Sequence, residues 1–158
     1  MAKSRENRAV LKPLPLLIGV TALVLSGLAS AASEIIGRVK TVQGEVTISS
    51  AESSRTAEPG SVIRRNETIV TGADASVGIT FRDDSRTSLG PNSELHLAEY
   101  RFEPAKNEYA FVSRMLRGTM LFVSGLISKL SPESAKVETP TATLGIRGTR
   151  FLLRVEDE

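Results

Sequence analysis

The chain has 158 residues, enough for one ordinary domain and too few for two. It contains no cysteine, no tryptophan and a single histidine, His96, which excludes a disulfide framework, a thiolate nucleophile, Cys-ligated metal centres and two-His metal motifs. Hydrophobic residues at 41%, charged residues at 24% and a formal net charge of +2 exclude both a disordered chain and a multi-span membrane protein.

The first 31 residues have the three blocks of a secretory signal peptide. Lys3, Arg5, Arg8 and Lys12 form a basic start, Leu14 to Leu28 is apolar and uncharged, and Ala29-Ser30-Ala31 presents the small residues of a cleavage site. Cleavage is expected between Ala31 and Ala32, with an uncleaved membrane anchor as the alternative. Such cleavage removes four basic residues and Glu6, which leaves 16 basic against 17 acidic, a net of −1. No basic excess remains to suggest nucleic acid.

From Ile35 onward, glycines recur among short runs of alternating residues. Val46 and Ile48, then Val77, Ile79 and Phe81, then Leu95 and Leu97, and finally Phe151, Leu153 and Val155 each alternate with polar, charged or small neighbours for most of their length. Period two with frequent turn residues predicts an all-β domain over 35–156. Its short strands are expected in a stacked, solenoid-like arrangement or in a sandwich. Gln43-Gly44 is expected to close a tight hairpin. The polar stretches 50–59, 103–108 and 131–134 are expected as loops, and helix is expected only in short pieces, chiefly around Gly125 to Leu130.

The order of motifs carries more information than any one of them. Gly37-Arg38-Val39 and Gly44-Glu45-Val46 open the domain, followed by Pro59-Gly60 and by Glu67 to Gly72. Then come Phe81 to Arg86, Leu89-Gly90-Pro91-Asn92-Ser93 and Gly118. Thr139 to Thr143 and Arg147-Gly148-Thr149-Arg150-Phe151 close it. This ordered set, over roughly 36–155, resembles the FecR domain, a periplasmic module of iron-uptake signalling. The resemblance implies a signalling or protein-interaction role in the periplasm or cell envelope. It also places Asp83-Asp84 where the family has an Asp-Gly turn. Signalling members carry a cytoplasmic sigma-factor-binding domain, whereas only thirteen residues precede the apolar run here. No direct sigma-factor contact is therefore expected.

Nothing in the residues marks an active site. Asp74, Asp83 and Asp84 lack the spacing of a calcium loop, no Gly-x-Ser-x-Gly elbow is present, and His96 sits among polar positions of its strand. The expectation is a non-enzymatic module with no cofactor and no metal, acting on an envelope protein through an edge strand or an exposed face. A module that binds envelope glycan or peptidoglycan is the alternative. The motif residues Gly44, Gly60, Gly72, Asp83, Gly90, Pro91, Asn92, Ser93, Gly118, Gly148, Thr149 and Phe151 are expected in structural roles at turns and strand contacts. Arg147 is expected to be a buried keystone, its guanidinium satisfied by carbonyls or by Asp83 and Asp84.

Overall fold

The computed structural model describes residues 34–148 and 150–156. The signal segment 1–31 and the cleavage pair Ala31 and Ala32 lie outside the described residues, as does Thr149. Twelve strands are present among the described residues. They are β1 (Ile35–Gln43), β2 (Val46–Ser49), β3 (Ser54–Thr56), β4 (Val62–Arg64), β5 (Thr68–Thr71) and β6 (Ser76–Phe81), then β7 (Arg86–Leu89), β8 (Glu94–Glu103), β9 (Glu108–Val123), β10 (Ala135–Glu138), β11 (Thr143–Gly145) and β12 (Arg150–Val155). One short helix, α1 (Ile127–Leu130), follows β9.

The strands form one curled sheet whose two halves share β9. The first half runs β4-β1-β6-β7-β9-β12 and the second β3-β2-β5-β8-β9-β10-β11. All pairs are antiparallel except β9 with β10. That parallel pair needs a crossover, which α1 and the turn Pro132–Ser134 provide. The all-β expectation therefore holds, with helix where it was predicted. The strands fold onto each other through shared β9 and do not stack as coils of a solenoid. They are also not uniformly short, since β8 has 10 residues and β9 has 16.

Alternation decides which side chains face inward. In β6 the burial alternates strictly, with Val77, Ile79 and Phe81 inside. Aromatic rings connect the two inner faces. Phe81 of the first half lies 5.2 Å from Phe111 and 5.9 Å from Tyr100, both of the second. The line continues through Phe122, 5.2 Å from Phe111, to Phe151, stacked on Phe122 at 5.5 Å. Each such pair adds about 0.5–1.5 kcal/mol beyond its area burial. The last strand is thus fastened to the core by its motif phenylalanine.

Two local expectations need correction. Gln43-Gly44 does not close a hairpin: β1 pairs with β4 and β6, whereas β2 pairs with β3 and β5. The turn instead carries the chain from one half-sheet to the other. Local sequence cannot separate these outcomes, because both need the same left-handed residue, here Gly44 at φ +69°. The polar stretch 50–59 is not all loop either. Ser54–Thr56 forms edge strand β3 on β2, which a short polar strand can do because both its faces are mostly exposed.

Candidate interaction edge

The motif residues gather at two places. The first surrounds the bend in β9. Up to Arg117 that strand pairs with β8, and from Gly118 onward it pairs with β12 and β7. Gly118 stands at the switch with φ +91°, and a Cβ there would lie 2.5 Å from the Ser93 Cα. Only glycine combines this conformation with this approach. Ser93 donates its hydroxyl to the Thr119 carbonyl at 3.2 Å and accepts from the Thr119 N–H at 3.0 Å. Its own N–H donates to the Thr71 hydroxyl at 2.8 Å, and that hydroxyl donates to the Gly90 carbonyl at 2.7 Å. Asn92, left-handed at φ 51°, donates its N–H to the Gly72 carbonyl at 3.0 Å. The Leu89 to Ser93 segment thus ties β5, β7 and the bend in β9 together, with Pro91 inside the turn. Gly90 itself has no left-handed φ and makes only ordinary contacts with Thr119, to whose carbonyl its N–H donates at 2.9 Å.

The second place is the β6–β7 turn. Asp84 takes the left-handed position at φ 64°, as its place in an Asp-Gly-like turn implied. Asp83 is buried at 1% exposure. Its carboxylate accepts from the Tyr100 hydroxyl at 3.1 Å, the Ser85 hydroxyl at 2.6 Å and the Ile127 N–H at 3.3 Å. Its backbone carbonyl accepts from the Leu126 N–H at 2.7 Å. One side chain thereby joins the β6–β7 turn, β8 and the start of α1. Gly125 makes this possible, since a Cβ there would fall on the Asp83 carbonyl and the Ser85 nitrogen. Burial, and next the Asp83 carboxylate, push the Tyr100 phenol above its ordinary range.

Arg147 is not the keystone. It is exposed, beside the buried Ile146, and makes no hydrogen bond or ion pair among the described residues. The buried, multiply bonded group is Asp83. Alternation does put Arg147 opposite Ile146, but that opposite face is open to solvent. Gly148 sits beyond it at φ +59° with open space around it, and Gly60 is likewise left-handed in open space. His96 lies on the outer face and pairs with the Thr68 hydroxyl at 3.1 Å.

Sequence reasoning missed a buried ion pair. Glu67, 3% exposed, receives both arms of the Arg55 guanidinium at 2.8 and 3.1 Å, and the Arg64 N–H at 2.8 Å. Arg55 also donates to the Val62 carbonyl at 2.8 Å. The pair closes the loop between β3 and β5. The signal available was an arginine inside an otherwise polar loop, twelve positions before a motif glutamate.

No group of three or more potential metal-ligating side chains occurs among the described residues, and no described helix is long and apolar enough to cross a membrane. A groove of about 790 Å³ lies beside β12. Leu116 of β9, Pro140, Leu144 of β11, and Leu153 and Val155 of β12 line it together with the polar Thr139, Thr141, Arg154 and Glu156. It separates an outer strand of each half-sheet, because among the described residues β11 bonds only to β10 and β12 only to β9.

Fold and groove together define an all-β module with an open corner between β11 and β12 among the described residues, built on a strand that belongs to both half-sheets. A family model of the FecR protein matches residues 67–158, and the chain belongs to the FecR family, whose members are signalling and regulatory proteins associated with the cell envelope. The match covers both motif clusters and the open corner. The opening segments Gly37-Arg38-Val39, Gly44-Glu45-Val46 and Pro59-Gly60, which the resemblance had included, precede the matched residues. No curated protein and no solved structure matches the chain significantly.

Proposed function

We propose that this protein is an exported, non-enzymatic interaction module of the periplasm or cell envelope, and that it engages a protein partner at the corner between β11 and β12. One observation carries the reading: among the described residues β12 bonds to β9 on one side only, and its other side borders a groove lined by both apolar and polar side chains. A six-residue strand with an open row of backbone donors and acceptors is a template for a further strand. Leu152 at 69% exposure and Leu116 at 43% stand beside that edge. Export rests on the basic, apolar and small-residue blocks of the first 31 residues. The catalytic alternatives lack support, since the polar side chains in the motif clusters are spent on holding turns and bends.

A photo-crosslinking residue at Leu152 in producing cells tests this. The expected result is a covalent adduct with an envelope protein, absent when the probe replaces Thr47 on the outer face of the other half-sheet. Adducts at both positions, or at neither, overturn the reading. Sedimentation of the chain with purified cell-wall sacculi instead supports the glycan-binding alternative.

A further inference from the structure

The edge of β12 has a chemistry that selects what can be added to it. Along this strand Phe151, Leu153 and Val155 are half-buried and Arg150, Leu152 and Arg154 are exposed. The register with β9 runs from Arg150↔Val123 to Val155↔Gly118 without a bulge, and the strand contains no proline. The devices that usually blunt an edge by geometry are therefore missing.

Charge is distributed unevenly between the two half-sheets. On the second, Arg101, Arg114 and Arg117 are each paired with a glutamate, namely Glu108, Glu138 and Glu94. On the first, the register aligns Arg38, Thr80, Arg86, Val123 and Arg150 in one row across the outer face. The next row is Thr41, Gly78, Ser88, Leu121 and Leu152. Neither row contains a carboxylate. Arg38, Arg86, Arg150 and Arg154 form no salt bridge among the described residues. With strands about 4.8 Å apart, the three arginines of the first row recur about every 10 Å. Arg154 lies four residues, or about 13 Å, along β12 from Arg150.

A second copy of this chain paired about Leu152 fits the edge poorly. Antiparallel pairing of β12 with itself about Leu152 sets Arg150 opposite Arg154 twice, and like charges directly opposite are destabilising. A strand with the complementary pattern meets no such penalty. Its apolar side chains enter the groove beside Leu144, Leu153 and Val155. Its acidic side chains lie on the other face beside Arg150 and at the groove's rim beside Arg154, which is exposed yet also lines the groove. Glu156 at the groove's end repels a carboxylate there and so helps to set the register.

We propose that β12 receives an extended segment of another protein in which apolar and acidic residues alternate, added as the next strand of the first half-sheet. This rests on the reading of the corner as a protein-binding edge and names the partner's chemistry.

Calorimetric titration of the purified chain with two nine-residue peptides tests it. Both have valine at every second position; one has glutamate between the valines and the other lysine. The glutamate peptide is expected to bind at least about tenfold more tightly, as opposite charges at a rim select partner and register. Hydrogen exchange at the β12 amides is expected to slow when it binds. The double variant Arg150→Glu/Arg154→Glu is expected to reverse the preference. Equal binding of the two peptides, binding of neither, or an unchanged preference in the double variant overturns the proposal. The comparison on the wild-type chain stands even if the variant folds poorly. Crosslinking at Leu152 without peptide discrimination overturns only the acidic pattern and leaves the protein-binding corner intact.

Discussion

Tyr100 and Asp83 hold each other twice. The phenol donates to the Asp83 carboxylate at 3.1 Å and accepts from the Asp83 backbone N–H at 2.9 Å. A residue in the middle of β8 thereby fixes the turn between β6 and β7, and the same turn receives the start of α1. The pair is a strut between the half-sheets, enclosed by the Phe81 and Phe111 rings.

The strut gives the protein an alkaline weakness. Burial raises the Tyr100 phenol above its ordinary 10.0, and the neighbouring carboxylate adds to this. A group whose folded value is raised stabilises fully below its unfolded value and loses that contribution as pH climbs. Below pH 10 both states keep the proton. Above it the unfolded phenol ionises first, and stability should fall by about 1.4 kcal/mol per pH unit. Urea midpoints across pH 8 to 11 should show this slope in the wild type and lack it in Tyr100→Phe. At neutral pH the same variant should cost about 1–3 kcal/mol, because it leaves the Asp83 N–H unsatisfied.

Gly118 and Gly148 are both left-handed, yet they should respond differently to alanine. At Gly148 the new methyl meets open space, so only the backbone conformation is penalised, by about 1–2 kcal/mol. At Gly118 the methyl also collides with the Ser93 backbone, and overpacking adds about 1–3 kcal/mol. Denaturant midpoints for the two variants should therefore separate clearly, with Gly118→Ala the weaker. Equal midpoints would show that the bend in β9 yields without cost.

The Arg55–Glu67 pair should be asymmetric. Arg55 is 32% exposed along its side chain, so Glu67→Ala leaves a guanidinium that can turn to water. Arg55→Ala leaves a buried carboxylate with only the Arg64 N–H, which should cost about 2–4 kcal/mol. Arg55→Lys should recover only part of that loss, since an ammonium cannot serve both carboxylate oxygens and the Val62 carbonyl as a planar fork does. Thermal unfolding of the three variants orders them.

Arg147→Ala should leave the unfolding midpoint within about 0.5 kcal/mol of wild type, as expected for an exposed side chain without partners among the described residues. A loss of several kcal/mol in urea would restore the buried keystone that the Ile146–Gly148 context suggested.

Alternation by itself determined much of this protein. Val77 to Phe81, Leu95 to Leu97 and Phe151 to Val155 are strands because period-two burial follows directly from the pleat. The order of Gly, Asp and Asn at turns was enough to indicate the family, since left-handed backbone restricts which residues can stand there. Tertiary structure decided what each turn joins and what each strand faces. Gly44 could close a hairpin or change sheets, and Arg147 could face a core or solvent; both answers depend on residues distant in sequence. The same holds for Asp83, whose partners Tyr100 and Ile127 lie 17 and 44 positions away, and for β12, whose role as an edge exists only because no described strand lies beyond it. Local pattern encodes the conformation of a residue, whereas burial, partners and open edges are properties of the surface that the folded chain leaves over.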